Sequence, residues 1–276
     1  MATPIDTPRP GRSPSHTRGR LRLLWDVMFR ALRLIAKHAN NVYTVFGIFL
    51  LSGAALAVAC TWAFSEIALH VRAGRTQAFD DAVMHWIGVH QYPALQTAML
   101  EVTSLGTGVV VAMIVLVAGM FLWLNTHRYS AILLFVATGG GIVLDNLLKA
   151  GFNRARPRIF EWGTYAASSS FPSGHAMSSV IVYGTVAYLA ARLQRNVASR
   201  VATLALAGFM IVLICASRLY LGVHFPSDVL AGVIVGLAWA GFCMAMLEAT
   251  QIYAKRNAPQ VLKVEAPAPP GASPSS

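Results

Sequence analysis

Three short stretches hold most of the residues able to do chemistry: KAGFNRARPR (149–158), SFPSGH (170–175) and SRLYLGVHFPSD (217–228). Lys149, Arg156 and Arg218 suit a dense oxyanion such as phosphate, because guanidinium groups grip such oxygens in pairs. Pro157 keeps Arg156 out of the helical region. The chain can therefore turn there, and Lys149 and Arg156 can approach one anion from different directions. Pro172, Ser173 and Gly174 fall at the predicted start of a helix, whose free N–H groups and partial positive charge form a natural phosphate seat. Gly174 permits close approach, and Ser173 offers its hydroxyl. Pro226 fits the first position of a further helix, so His224 precedes that helix and Asp228 lies in its first turn. Asp228 can bond one imidazole nitrogen, fix the tautomer and leave the other nitrogen free to attack. This is the logic of a catalytic triad with histidine as the nucleophile. His175 can then protonate the leaving oxygen.

The elements that must position these residues are apolar helices. Of the 276 residues, 56% are hydrophobic and 12% charged, about half the charged share of a soluble domain; mean hydropathy is +0.57. The net charge of +11 would suit nucleic acid, but the basic residues cluster at the edges of long apolar runs, as membrane proteins place them. Nucleic acid is therefore excluded as a partner. Cys60, Cys215 and Cys243 lie in apolar runs without metal-ligand spacing and read as small buried hydrophobes.

Six runs approach the roughly 20 apolar residues of a spanning helix: 42–64, 105–125, 129–151, 175–191, 201–217 and 229–249. The expected fold is an all-α, six-helix transmembrane bundle over 41–250. It is preceded by a disordered arm (1–18) rich in Pro, Ser, Thr and Arg and by a basic amphipathic interfacial helix (19–40). A disordered tail (251–276) follows. Six spans put both termini on one side. Fifteen of the 22 lysines and arginines then fall on the side of the termini, which the positive-inside rule makes cytoplasmic. The three stretches adjoin the 129–249 runs on the outward side. If those four helices pack together, Lys149, Arg156, Ser173, His175, Arg218, His224 and Asp228 meet at one end.

Other polar residues have duller readings. Arg154 and Arg158 are expected to meet headgroups or solvent. Phe79, Val83, Trp86 and Ile87 give the long 65–104 connection a weak helical stripe, read as an interfacial helix without chemistry whose Asp80 and Asp81 are solvated. Asp145, four residues before Lys149, is expected to pair with that lysine. Gly139, Gly140 and Gly141 are expected at a close helix–helix contact. A metal held by His175, His224 and Asp228 would be opposed by three neighbouring cations, so no metal and no cofactor are expected.

KAGFNRARP, FPSGH and SRLYLGVHFPSD resemble the three signature motifs of the type-2 phosphatidic acid phosphatase superfamily, the lipid phosphate phosphatases: K-x6-R-P, P-S-G-H and S-R-x5-H-x3-D. Each is complete, and they stand in the family's order. The resemblance, to the bacterial membrane-bound type, covers about residues 79–245. It implies a six-helix membrane fold, metal-free chemistry and a phosphohistidine intermediate. By motif position His224 is the nucleophile, Asp228 its orienting partner and His175 the general acid, while Lys149, Arg156, Ser173, Gly174 and Arg218 bind phosphate. Phe225 stands where many relatives carry another aromatic residue, which alters no role.

The implied activity is hydrolysis of a lipid phosphate or diphosphate at the periplasmic face of a bacterial inner membrane, with membrane lipids and the substrate as partners. Undecaprenyl diphosphate, phosphatidate, phosphatidylglycerol phosphate and a lipid A phosphate all fit, as does phosphoryl transfer to a second lipid by the same site. A transporter would place its charges near mid-membrane on broken helices; here they sit at one rim. Vanadate-dependent haloperoxidases share the motifs but are soluble.

Overall fold

The computed structural model of the chain describes residues 42–161, 164 and 168–257. The expected arm (1–18), the basic interfacial helix (19–40) and most of the tail lie outside the described residues, as do positions 162, 163 and 165–167. The chain divides into a first unit, residues 1–48, and a second, residues 49–276. Of the first, only helical residues 42–48 are described; the packing and the site described below belong to the second.

All regular structure among the described residues is helical: α1 Val42–Arg72, α2 Gln77–Val89, α3 Pro93–Ser104, α4 Gly108–Leu124, α5 Arg128–Phe152, α6 Gly174–Leu193, α7 Val197–Tyr220 and α8 Pro226–Asn257. Five of them (α1, α5, α6, α7 and α8) are long and apolar enough to cross a membrane. In lipid only a helix satisfies its own backbone polar groups, which is why apolar runs of this length take no other form. The sixth expected span, 105–125, falls mainly on α4, which has 17 residues and meets α3 at 46°; only together are the two long and apolar enough for one crossing. The 65–104 connection is shorter than expected, since α1 continues to Arg72.

Helix ends follow local chemistry. Pro93 opens α3 and Pro226 opens α8, where a missing N–H costs nothing. α5 stops at Asn153, in the left-handed conformation with φ 41°. Ser173 caps α6 and Asn196 caps α7, the latter accepting from Ala198 N at 2.9 Å.

α6 is the central helix. Its span is 56% buried, against 6% for α7. The core joins Leu134 and Ala137 of α5, Met177, Ile181 and Val182 of α6, and Val235 and Cys243 of α8. Of the glycine run, Gly140 and Gly141 make the helix contact expected, while Gly139 faces open space. A Cβ on Gly140 would collide with the Trp239 ring, and one on Gly141 would lie 2.6 Å from Ile181 Cδ1. Trp239 Nε1 donates to the Ala137 carbonyl at 2.8 Å, which fixes α8 on α5 at that level. On α4, Val109, Met113, Leu116, Val117, Met120 and Phe121 are exposed; such a continuous apolar face marks a surface that meets lipid.

One expectation is overturned at α2. Of the Phe79–Trp86 stripe, Phe79 and Trp86 point outward, 65% and 64% exposed, while Val83 and Ile87 are half-buried. The adjoining face, Asp80 and Met84, is fully buried. Asp80 is therefore not solvated, and α2 does carry polar chemistry. Asp81 stays near the surface and accepts from Gln77 at 2.8 Å.

Candidate active site

The site is built where α5, α6, α7 and α8 end on one side of the bundle. α8 begins with Pro226, so its free N–H groups face the loop ahead of it. Asp228, the third helical residue, reaches back: its Oδ2 accepts from Phe225 N at 2.9 Å, the carboxylate half of a capping box. The same oxygen accepts from Ser170 Oγ. The other, Oδ1, accepts from Arg154 Nη1 at 2.5 Å. Ser173 N donates to the Asp228 carbonyl at 3.0 Å, so the start of α6 is tied to the start of α8.

His224 is 2% exposed, and its two nitrogens have opposite partners. Nδ1 lies 2.9 Å from the Ser170 carbonyl, which can only accept. Nε2 lies 3.2 Å from Arg156 Nη1, which can only donate. These partners assign the proton to Nδ1 and leave a lone pair on Nε2. Asp228 Oδ2 stands 3.7 Å from Nδ1, so it acts on the ring through charge, and the Ser170 carbonyl makes the hydrogen bond that sets the tautomer. Burial pushes the His224 pKa down to about 4. The Asp228 charge pulls upward, and Arg156 and Arg218 add to the fall. The ring is neutral at ordinary pH.

Three cations stand at this end of the bundle, Arg156 nearest to Nε2. Arg156 is held by the Val223 carbonyl at 2.7 Å and the Ser168 carbonyl at 3.0 Å. Burial lowers its pKa while Asp228 opposes the shift; a guanidinium keeps its charge regardless. Arg218 is 4% exposed and donates Nη1 to Thr103 Oγ1 at 2.7 Å, while its Nε is buried without a partner among the described residues. Lys149 donates to Asp145 at 2.8 Å, the pairing expected from their spacing. Gly174 makes room for it, since a Cβ there would lie 2.7 Å from Lys149 Nζ. The His175 ring lies within electrostatic reach of the cations Arg218, Lys149 and Arg156. The chain passes it closely at Gly106, where a Cβ would stand 2.9 Å from His175 Cδ2.

All eight candidate residues thus gather at one end: Lys149, Arg156, Ser173, Gly174, His175, Arg218, His224 and Asp228. Several partners escaped sequence reasoning. Arg154, expected at solvent, is a correction. Its side chain is 12% exposed, pairs with Asp228 and with Asp80 at 2.9 Å, and stacks on the Phe225 ring at 4.4 Å. Asp80, Ser170, Ser227 and Thr103 were also missed. Asp228 can be read as needing a cation, but nothing in the spacing of Arg154 says that it is the one. Arg158 is exposed, as expected.

The chain is similar to known proteins in sequence and in fold. The PAP2 superfamily model matches residues 129–252, from the start of α5 into the last turns of α8. Phosphatidylglycerophosphatase B of Bacillus subtilis is 33% identical over 177 residues, 63% of this chain and 86% of that protein. Lipid A 1-phosphatase of Rhizobium etli is 32% identical over 136 residues, 46% of this chain and 51% of that one. Undecaprenyl-diphosphatase of Sulfolobus acidocaldarius is 31% identical over 139 residues, 49% and 63% of the two chains. The crystal structure of a transmembrane PAP2-type phosphatidylglycerolphosphate phosphatase from Bacillus subtilis superposes with a TM-score of 0.66 at 27% identity, covering 70% of this chain and 96% of that one. Sequence and fold agree over the helices that carry the three stretches, and this multi-pass membrane chain belongs to the PAP2 superfamily.

Proposed function

We propose that this protein hydrolyses a lipid phosphate or diphosphate through a phosphohistidine on His224, without a metal, on the extracytoplasmic side of a bacterial inner membrane. The observation that carries the reading is the ring of His224. Its proton is committed to Ser170 and its Nε2 lone pair faces the Arg156 guanidinium. A phosphate drawn to Arg156, Arg218 and Lys149 arrives in front of that lone pair. These cations also counter the charge that builds on the phosphoryl oxygens in the transition state.

The steps balance as follows. Nε2 attacks phosphorus, and the bond from phosphorus to the lipid oxygen breaks. The departing oxygen takes a proton from His175. The imidazolium left on His224 is supported by the Ser170 carbonyl at 2.9 Å and the Asp228 carboxylate at 3.7 Å. Water then attacks the phosphorus, gives its proton to His175, and releases phosphate as the P–N bond breaks. Metal independence is supported by the donor set: both Asp228 oxygens and both His224 nitrogens already face hydrogen-bonding partners.

Phosphatidylglycerophosphate is the first substrate candidate, because the relative named for that activity aligns over 86% of its length. The test is phosphate release by purified protein in EDTA from phosphatidylglycerophosphate, phosphatidate, undecaprenyl diphosphate and a lipid A phosphate. Release from at least one, greatest from the first, is expected. Silence on all four, or activity lost to EDTA and restored by a divalent metal, contradicts the reading. The orientation rests on the placement of basic residues, which puts both termini in the cytoplasm. A cysteine at the exposed Glu161 should react with an impermeant thiol reagent in intact cells; protection there overturns it.

A further inference from the structure

Arg154 joins two buried carboxylates that come from helices far apart in sequence. Nη1 contacts Asp228 Oδ1 at 2.5 Å, and Nη2 contacts Asp80 Oδ2 at 2.9 Å. Nη1 also donates to Ser227 Oγ at 2.8 Å. Asp80 does more than balance this charge. Its Oδ1 accepts from Ser227 N at 3.0 Å and its Oδ2 from Ser227 Oγ at 2.6 Å. Ser227 N is one of the N-terminal amides of α8 that the helix itself leaves unpaired, and a carboxylate there also meets the positive end of the helix dipole. Asp80 and Asp228 are both 0% exposed, so neither contact is loosened by solvent. The loop side is fixed too, since Arg154 N donates to Ser169 Oγ at 3.0 Å and Ser170 N to the Arg154 carbonyl at 2.9 Å.

We propose that Asp80 of α2, acting through Arg154 and Ser227, is a positioning residue for the nucleophile: it anchors the first turn of α8 and so holds the Asp228 carboxylate at its working distance from His224. This rests on the reading of His224 as nucleophile. Asp80 touches no reacting atom. Arg154 sits between two carboxylates that must not repel each other, and its planar fork meets both at once, a geometry a lysine does not reproduce. Among the described residues Asp80 makes no hydrogen bond or ion pair with Lys149, Arg156 or Arg218, so holding an anion and aiming the nucleophile are separable.

The test compares Asp80→Asn, Arg154→Lys and Ser227→Ala with the wild type in detergent. The readouts are steady-state phosphate release from phosphatidylglycerophosphate or the best lipid of the panel, and competitive inhibition by inorganic phosphate. Asp80→Asn should lower kcat roughly tenfold to a hundredfold, the scale of a small misplacement of a reacting group. The inhibition constant for phosphate should stay within about twofold, because the cationic groups that set it are intact. Arg154→Lys should behave alike, and Ser227→Ala, which removes only a hydroxyl, should lower kcat by about threefold. Unchanged kcat in Asp80→Asn overturns the inference. So does loss of turnover together with loss of phosphate inhibition in all three variants, since that marks a role in folding alone. A wild type that releases no phosphate from any lipid overturns the phosphatase reading itself, and the inference with it.

Discussion

Both ends of the bundle carry an arginine–carboxylate cluster, yet they differ in kind. At the end away from the candidate site, Glu248 of α8 accepts from Tyr188 Oη and pairs with Arg192 Nη1 at 2.9 Å. Arg192 also donates to Gln251 at 2.8 Å. Arg192 and Glu248 are 32% and 19% exposed, and their partners are all one another. At the candidate end, Arg154 is 12% exposed and its two carboxylates are wholly buried. Next to that closed network stands a donor whose capacity is not used, the buried Arg218 Nε without a partner among the described residues. A rim charge is therefore no sign of chemistry. A buried donor left open beside a neutral imidazole is.

This contrast can be broken at either end, and the largest effect belongs to His224. His224→Ala should lower phosphate release by about a thousandfold or more, as removal of a nucleophile does. A variant with undiminished turnover removes the distinction between the two ends. Gly174→Ala comes next. Its Cβ would lie 2.7 Å from Lys149 Nζ and 2.9 Å from Asp145 Oδ2, displacing the lysine, and kcat/KM should fall roughly tenfold or more; an unaltered kcat/KM would place Lys149 outside the anion site.

The third test is a pH profile. Protonation of Nε2 removes the attacking lone pair, and the folded-state pKa of His224 is about 4. Activity governed by His224 should therefore hold as pH falls to about 4, then drop about tenfold per pH unit. An acid limb at the ordinary imidazole value, about 6.5, would show that the ring is less buried than here. The smallest effect belongs to the far end: Glu248→Gln should leave turnover within about twofold, since a partly exposed pair contributes little. A tenfold loss there would make the far cluster part of the mechanism.

The sequence pointed to the candidate residues that gather at one end, but not to the groups that support them. His224, Asp228, Arg218 and the PSGH turn were legible because each role needs a particular residue type at a fixed distance from a helix start. The start of α8 at Pro226 and of α6 at Gly174 follows from the same signals. α2 was misread for a physical reason. A stripe of Phe79, Val83, Trp86 and Ile87 marks the buried face in water, but a helix at a lipid boundary can turn its apolar face outward without cost and its carboxylate inward. Asp80 is buried on that account. Arg154 was misread because its partners lie 74 residues away in both directions, and local spacing holds no record of such contacts. The bend between α3 and α4 has a similar origin: Gly106 lets the backbone pass His175 and Ile214, neighbours that exist only once the bundle is packed.

The central claim is that phosphate passes through His224, and covalent trapping tests it most directly. Purified protein is mixed with a lipid phosphate labelled in the phosphoryl group, quenched in base within milliseconds and digested. The account predicts label that is stable in base, labile in acid, confined to the peptide containing His224 and absent from His224→Ala. Turnover with no trapped label under a pre-steady-state burst, or label on any other residue, would contradict it.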